Sequence, residues 1–232
     1  MTTKTAISIV GDSFGCGEWV PDKPGTNKIS HLGIQEYLQQ RGYVVKNFST
    51  PGDSMDNILH QIVINNIIKE TIIVFATDPL RNFVVDNKIN QLYVKQNFSI
   101  AKLHKVLFLD WFRKLSTISR ERKCNIILIG GHANLYDTKP IKNISICTKS
   151  WLGDILKQPV GDLSAIEPMA LEVLMSIKPI KQDNQKVELI DIITQRSDRL
   201  NLLYNNNFFP DNGHPNRQAH EKLTQKIINL IG

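Results

Sequence analysis

The run Ala6-Ile7-Ser8-Ile9-Val10-Gly11-Asp12-Ser13 decides how the rest of the chain is read. Five mostly apolar residues end abruptly in a Gly-Asp-Ser turn, the pattern of a strand covered on both faces with a tight polar exit. The same unit recurs outward from it. Tyr43 to Phe48, Thr71 to Ala76 and Asn125 to Ile129 read as further strands, and Val187-Glu188-Leu189-Ile190-Asp191-Ile192 as a fifth. Helical patterns lie between them. His31 to Arg41 is stopped by Gly42, and Met55, Ile58, Leu59 and Ile62 follow Ser54 as N-cap. Leu103, Leu107, Trp111, Leu115 and Ile118 share one face of a long helix, and Ala219, Leu223, Ile227 and Ile231 mark a terminal one. This alternation predicts a single α/β domain over residues 1–232, three layers thick, around a mostly parallel five-stranded sheet. Residues 135–186 are long for one crossover. They carry a helical pattern around Ser164 to Ile177 and are expected to form a cap or insertion over one end of the sheet.

Composition narrows the class further. The chain has 232 residues, 41% hydrophobic and 22% charged, which excludes disorder, collagen and coiled coil as the main architecture. Lys plus Arg is 28 against 22 Asp plus Glu, a net charge of +6 that permits an acidic partner. The basic residues are scattered singly and form no aromatic-interleaved stripe, so no nucleic-acid partner is expected. Cys16, Cys124 and Cys147 are odd in number and lack metal-ligand spacing. Neither a disulfide framework nor a metal is expected, and no cofactor. The apolar run Ala6 to Val10 is too short for a signal peptide and no stretch reaches membrane-spanning length, so the expectation is a cytoplasmic protein without a membrane partner. Composition leaves the oligomeric state open.

In a parallel sheet, ligands bind beyond the carboxyl ends of the strands. The polar residues there are Gly11-Asp12-Ser13-Phe14, Asn47 to Ser54, Thr77-Asp78-Pro79 and Gly130-Gly131-His132-Ala133-Asn134. Asp211-Asn212-Gly213-His214-Pro215 joins them before the last helix. A serine hydroxyl is a poor nucleophile until a base takes its proton. His214 is the natural base, because imidazole titrates near neutral pH. Asp211, three residues earlier in a Gly-containing turn, can fold back onto the other ring nitrogen. Pro215 and Asn216 suit a helix start that would anchor the histidine.

These blocks together resemble the SGNH (GDSL) hydrolase superfamily of serine esterases and lipases. Gly11-Asp12-Ser13 is similar to its first block, Asn47 to Ser54 to its second, and Asp211-Asn212-Gly213-His214-Pro215 to its last. The resemblance implies a flavodoxin-like sheet, a Ser13–His214–Asp211 triad, and an oxyanion hole built from the backbone of Ser13 and Gly52. The third block departs from the family pattern. Phe75-Ala76-Thr77-Asp78 carries Thr77 where the family has asparagine. A threonine hydroxyl also donates one hydrogen bond but reaches less far, and Asn134 is the alternative amide donor. Asp78 and His132 are candidates for touching substrate.

Each of these residues also has a structural reading. Ser13 and Asp12 could belong to a helix cap, Gly52 could end a loop, and His132 could be a core group. Asp78 and Arg81 could form an ordinary ion pair, Trp19 and Trp151 could pack or border a pocket, and Cys16 could be a small buried residue. The leading functional expectation is hydrolysis of a small carboxylic ester, such as an O-acetyl group on a carbohydrate, through an acyl-enzyme. The runner-up is a catalytically weak or inactive carbohydrate-binding or interaction module. A nucleotide-binding reading ranks last, because Gly11, Gly15 and Gly17 do not have G-x-G-x-x-G spacing.

Overall fold

A computed structural model describes residues 6–84, 99–131, 134–161, 163, 183–204, 206–211 and 213–231. Strands β1 (Ala6–Val10), β4 (Val44–Asn47), β5 (Thr71–Ala76), β6 (Asn125–Gly130) and β7 (Ile144–Thr148) form one sheet in the order β4-β1-β5-β6-β7. Every pairing in it is parallel. Strands β2 (Glu18–Pro21) and β3 (Asn27–His31) form a separate antiparallel hairpin. The helices are α1 (Ser13–Cys16), α2 (Ile34–Gln40), α3 (Met55–Ile64), α4 (Ile100–Arg122), α5 (Trp151–Leu156), α6 (Asp183–Tyr204) and α7 (Arg217–Ile231), with a 3-10 helix at Pro79–Val84.

Side chains alternate across the strands, so each strand feeds two cores. Val10, Ile72, Val74, Ile126 and Leu128 meet Ile58 and Ile62 of α3 and Phe108, Trp111 and Leu115 of α4. Ile7, Ile9, Ile73, Phe75, Ile127 and Ile129 meet Ile34 and Leu38 of α2 and Ala219, Leu223 and Ile227 of α7. The three-layer α/β/α expectation therefore holds. The strand order is that of a doubly wound sheet, whose connections diverge between β1 and β5 and open a crevice there. His220 of α7 is fully buried against the Trp151 ring, with centroids 4.9 Å apart. Burial pushes its pKa down to about 3.

Three expectations change. Val187 to Ile192 is not a strand but part of the 22-residue helix α6. The fifth strand is instead Ile144–Thr148, so that stretch of the expected cap belongs to the sheet. Trp151 and Ile155 of α5 likewise pack into the sheet's own core. The helix expected from His31 begins only at Ile34, because His31 ends the β2–β3 hairpin. The helical pattern at Ser164 to Ile177 lies outside the described residues.

Candidate active site

Strand β1 delivers Gly11 into a space where a side chain would strike Phe75: an added Cβ would lie 2.6 Å from that residue's Cβ. The chain then turns directly into α1. Asp12 caps this turn, its Oδ1 accepting from Phe14 N–H at 3.0 Å, and Gly15 N–H donates to the Asp12 carbonyl at 3.0 Å. The N–H of Ser13 serves neither bond. On the neighbouring strand, Val74 pairs with Val10, so Ser13 and Thr77 each stand three residues beyond a paired position.

Thr50-Pro51-Gly52-Asp53 makes a tight turn, closed by Asp53 N–H donating to the Thr50 carbonyl at 3.1 Å. Pro at the second position and Gly at the third, with φ of 78° at Gly52, define a type II turn. That conformation disfavours a side chain, and the turn's own bond leaves out the Gly52 N–H. Thr50 N–H donates to the Gly11 carbonyl at 3.0 Å and Asn47 Nδ2 to the Gly15 carbonyl at 2.9 Å, locking this loop to the serine turn.

At the far end of the chain, Asp211 receives four hydrogen bonds. Its Oδ1 accepts from Gly213 N–H at 3.0 Å and His214 N–H at 2.7 Å, and its Oδ2 from His214 Nδ1 at 2.6 Å and Asn27 Nδ2 at 3.2 Å. Burial alone would raise its pKa. The ring and charge of His214 and the two backbone donors outweigh that and hold it below the usual carboxylate range. An ionised carboxylate only accepts, so Nδ1 carries a proton, and in the neutral ring Nε2 is the nitrogen that presents a lone pair. Nε2 lies 2.8 Å from Ser13 Oγ. Asp211 is 2% exposed and His214 21% exposed at the side chain, so the chain of bonds is anchored inside and open at the imidazole. This arrangement can move a proton from an alcohol to a base held in one tautomer.

The structure thus brings together Ser13, His214 and Asp211, with the Gly52 turn locked to the serine turn. Thr77 is 2% exposed directly after β5. Two candidates make other contacts. Asn134 donates through its amide to the Val160 carbonyl and lines a 500 Å³ cleft with Tyr136, Lys149 and Gln158, whose lining includes neither Ser13 nor His214. Asp78, expected at the substrate, is 2% exposed: Oδ1 accepts from Leu80 N–H at 2.9 Å and faces His104 Nε2 at 3.3 Å. It caps the 3-10 helix instead. His132 lies outside the described residues. Cys16 is buried and its thiol pKa is pushed up to about 12, first by burial and then by Asp12 and Asp53, which leaves it a poor nucleophile.

The β2–β3 hairpin supplies three partners of the site, of which the sequence singled out only Trp19. Trp19 Nε1 donates to the Ser13 carbonyl at 3.0 Å, and its ring lies 5.3 Å from that of His214. Asn27 reaches Asp211 as above. Glu18 accepts from Arg217 N–H, Nε and Nη2, each at 3.0 Å, and so fixes the first residue of α7 just after His214. A signal was present: Trp19-Val20-Pro21 and Lys28-Ile29-Ser30 flank a Pro24-Gly25 turn, which is hairpin chemistry. Among the described residues no cluster of three or more His, Cys, Asp or Glu could hold a metal, and no helix is long and apolar enough to cross a membrane.

No protein-family model and no curated protein matches the chain. Solved structures do. TesA is 14% identical at a TM-score of 0.42, over 97% of this chain and 96% of that one. The psychrotrophic esterase EstA from Pseudoalteromonas sp., in a structure inhibited by monoethylphosphonate, is 13% identical at 0.43, over 97% and 96%. A Bacillus subtilis protein is 14% identical at 0.42 over 98% of this chain, which spans only 56% of its length. At that distance none of these likenesses assigns chemistry to this chain, which is read from its own side chains.

Proposed function

We propose that this chain is a serine ester hydrolase of the SGNH (GDSL) type. The observation that carries the reading is the unbroken chain of hydrogen bonds from Asp211 through His214 to Ser13, groups from opposite ends of the sequence. In this reading Ser13 Oγ attacks the ester carbonyl carbon while His214 Nε2 takes its proton. The N–H groups of Ser13 and Gly52 hold the oxyanion of the tetrahedral intermediate. The C–O bond to the alcohol breaks, His214 returns the proton to the departing oxygen, and the acyl group stays on Ser13. Water then attacks the acyl-serine, giving its proton to His214, and the carboxylic acid leaves as Ser13 regains a hydrogen. Asp211 stabilises the imidazolium in both halves without taking the proton.

The substrate class proposed is a small carboxylic ester, with O-acetyl groups on a carbohydrate as the specific candidate. The half-buried indole of Trp19 beside His214 supports it, as a flat apolar surface suited to a sugar ring. The net charge of +6 favours an acidic glycan over a neutral one. The test is hydrolysis of p-nitrophenyl acetate and of an acetylated oligosaccharide by the wild-type chain and by Ser13→Ala. Turnover that vanishes in a folded Ser13→Ala supports the proposal, and turnover retained in that variant ends it.

A second reading, a catalytically weak relative that binds glycans, is favoured by one observation: Thr77 stands in the third donor position and Asn134 is tied to Val160. Losing one oxyanion donor typically costs on the order of 10²–10³ in rate. Persistent inactivity on an ester panel, together with measurable glycan binding, would favour this second reading.

A further inference from the structure

The sequence left Arg81 two roles, an ordinary ion pair with Asp78 or a contact with substrate. In the structure it reaches two other loops. Its Nη1 donates to Asp12 Oδ2 at 3.2 Å and to the Asp53 carbonyl at 3.2 Å. The side chain is 15% exposed and that of Asp12 4%, so the ion pair is shielded from water. Arg81 itself is held by its backbone, with its N–H donating to the Asp78 carbonyl at 3.1 Å in the turn that Asp78 caps. One guanidinium nitrogen therefore joins the loops leaving β4, β1 and β5, three strands adjacent in the sheet.

Those are the loops that carry the oxyanion groups of the reading above. Asp12 precedes Ser13 and holds the turn that aims its N–H. Asp53 follows Gly52 and closes the type II turn around it. Thr77 lies one residue before the turn that presents Arg81. Nothing else among the described contacts links all three. Buried Asp12 and Asp53 are both acidic and close enough that each raises the pKa of the nearby Cys16 thiol, so without a cation between them the two loops would repel.

We infer that Arg81 is a positioning residue that sets the spacing of the oxyanion loops, acting through Asp12 and the Asp53 carbonyl without touching substrate. The inference rests on the hydrolase reading for its kinetic consequence, though not for its structural one. Both bonds use the two hydrogens of one Nη1 on a rigid planar group, and lysine would keep the charge with a different reach.

The experiment uses Arg81→Ala and Arg81→Lys in the full chain, with active sites counted by fluorophosphonate labelling. A displacement of about 1 Å at such a site can cost about 10²-fold in rate. Arg81→Ala should therefore lose on the order of 10- to 100-fold in kcat per labelled serine, with KM changed less than about threefold. Affinity for an alkyl boronic acid, which forms the tetrahedral anion, should fall with kcat. Affinity for the planar amide of the same acyl group should not. Arg81→Lys should fall between the two proteins. A purely structural role would instead lower the melting temperature and the labelled fraction, leaving kcat per labelled serine within about twofold, and that result overturns the inference. If the wild-type chain neither hydrolyses esters nor labels, the hydrolase reading fails, and amide hydrogen exchange decides on Arg81 by itself. Arg81→Ala should speed exchange at both 12–15 and 50–54; unchanged exchange at either segment overturns the clamp.

Discussion

Two Asp–His–hydroxyl chains stand at the carboxyl ends of this sheet, and they differ in what they can do. In one, Asp211 holds His214 at 2.6 Å and His214 faces the Ser13 hydroxyl at 2.8 Å. In the other, Asp78 lies 3.3 Å from His104 and His104 Nδ1 is 2.7 Å from the Tyr136 hydroxyl. The residue types and order are nearly the same. Access is not: His214 is 21% exposed at the side chain and His104 1%. Ser13 also sits at the head of a capped turn beside the Gly52 loop, whereas Tyr136, half-buried at the Asn134 cleft, bonds a buried ring whose Nε2 makes no hydrogen bond to Asp78. Three polar groups in line make a catalytic unit only where the imidazole can be reached and backbone donors stand nearby. In the closed position they anchor loops.

The comparison would break first at its open end. Ser13→Ala and His214→Ala should each lower kcat/KM by roughly 10⁴–10⁶, because members of such a unit act together. Steady-state ester hydrolysis measures the loss, and circular dichroism checks the fold. Asp211→Asn should cost on the order of 10⁴ in kcat, since an amide facing Nδ1 favours the wrong tautomer. His104→Ala should do the opposite, leaving kcat per labelled serine within about fivefold. It should destabilise by about 3 kcal/mol, because truncating a fully buried ring leaves a cavity and removes the partner of the Tyr136 hydroxyl. Thermal unfolding should then shift by roughly 6–12 °C. A loss of rate in His104→Ala matching that of Asp211→Asn would erase the distinction.

A last effect, on stability and not on rate, concerns acid. His220 is neutral in the fold, with its pKa lowered from 6.5 to about 3, and His31, Glu18 and His214 are the charged or titratable groups near it. Unfolding lets it take a proton below the unfolded value, so stability is full above about pH 6.5 and declines as pH falls toward 3. The slope is at most about 1.4 kcal/mol per pH unit. Asp211 adds to the lower part of this window. Its depressed pKa means that its contribution is present above the unfolded carboxylate value and is lost as pH falls through the folded one. Urea midpoints between pH 7 and pH 4 should fall in the wild-type protein, and His220→Leu should flatten the upper part of that fall.

The open chain was legible in the sequence because local rules write it. Gly11-Asp12-Ser13 follows a β-branched run, and Asp211 lies three residues before His214 in a turn that leads into a helix. The Thr50-Pro51-Gly52 turn was legible for the same reason. The closed chain was not, because it joins Asp78, His104 and Tyr136 from three elements whose proximity only tertiary packing sets. Asn27 and Asp211, 184 residues apart, carry no mutual sign either. The fifth strand was misread because Val187 to Ile192 mixes periods. Ile192 is buried while Ile190 and Ile193 are 61% and 48% exposed, a helical placement that alternating apolar residues mimic. The real strand, Ile144–Thr148, is an edge strand with Ile146 38% exposed, and its pattern is too weakly apolar to stand out.

The most direct test of the open chain is covalent. Wild-type protein treated with a fluorophosphonate and digested should yield one phosphonylated peptide, with the added mass on Ser13, and His214→Ala should label far more slowly. Folded protein that takes no label, or takes it at Cys16 or any residue other than Ser13, would contradict the account.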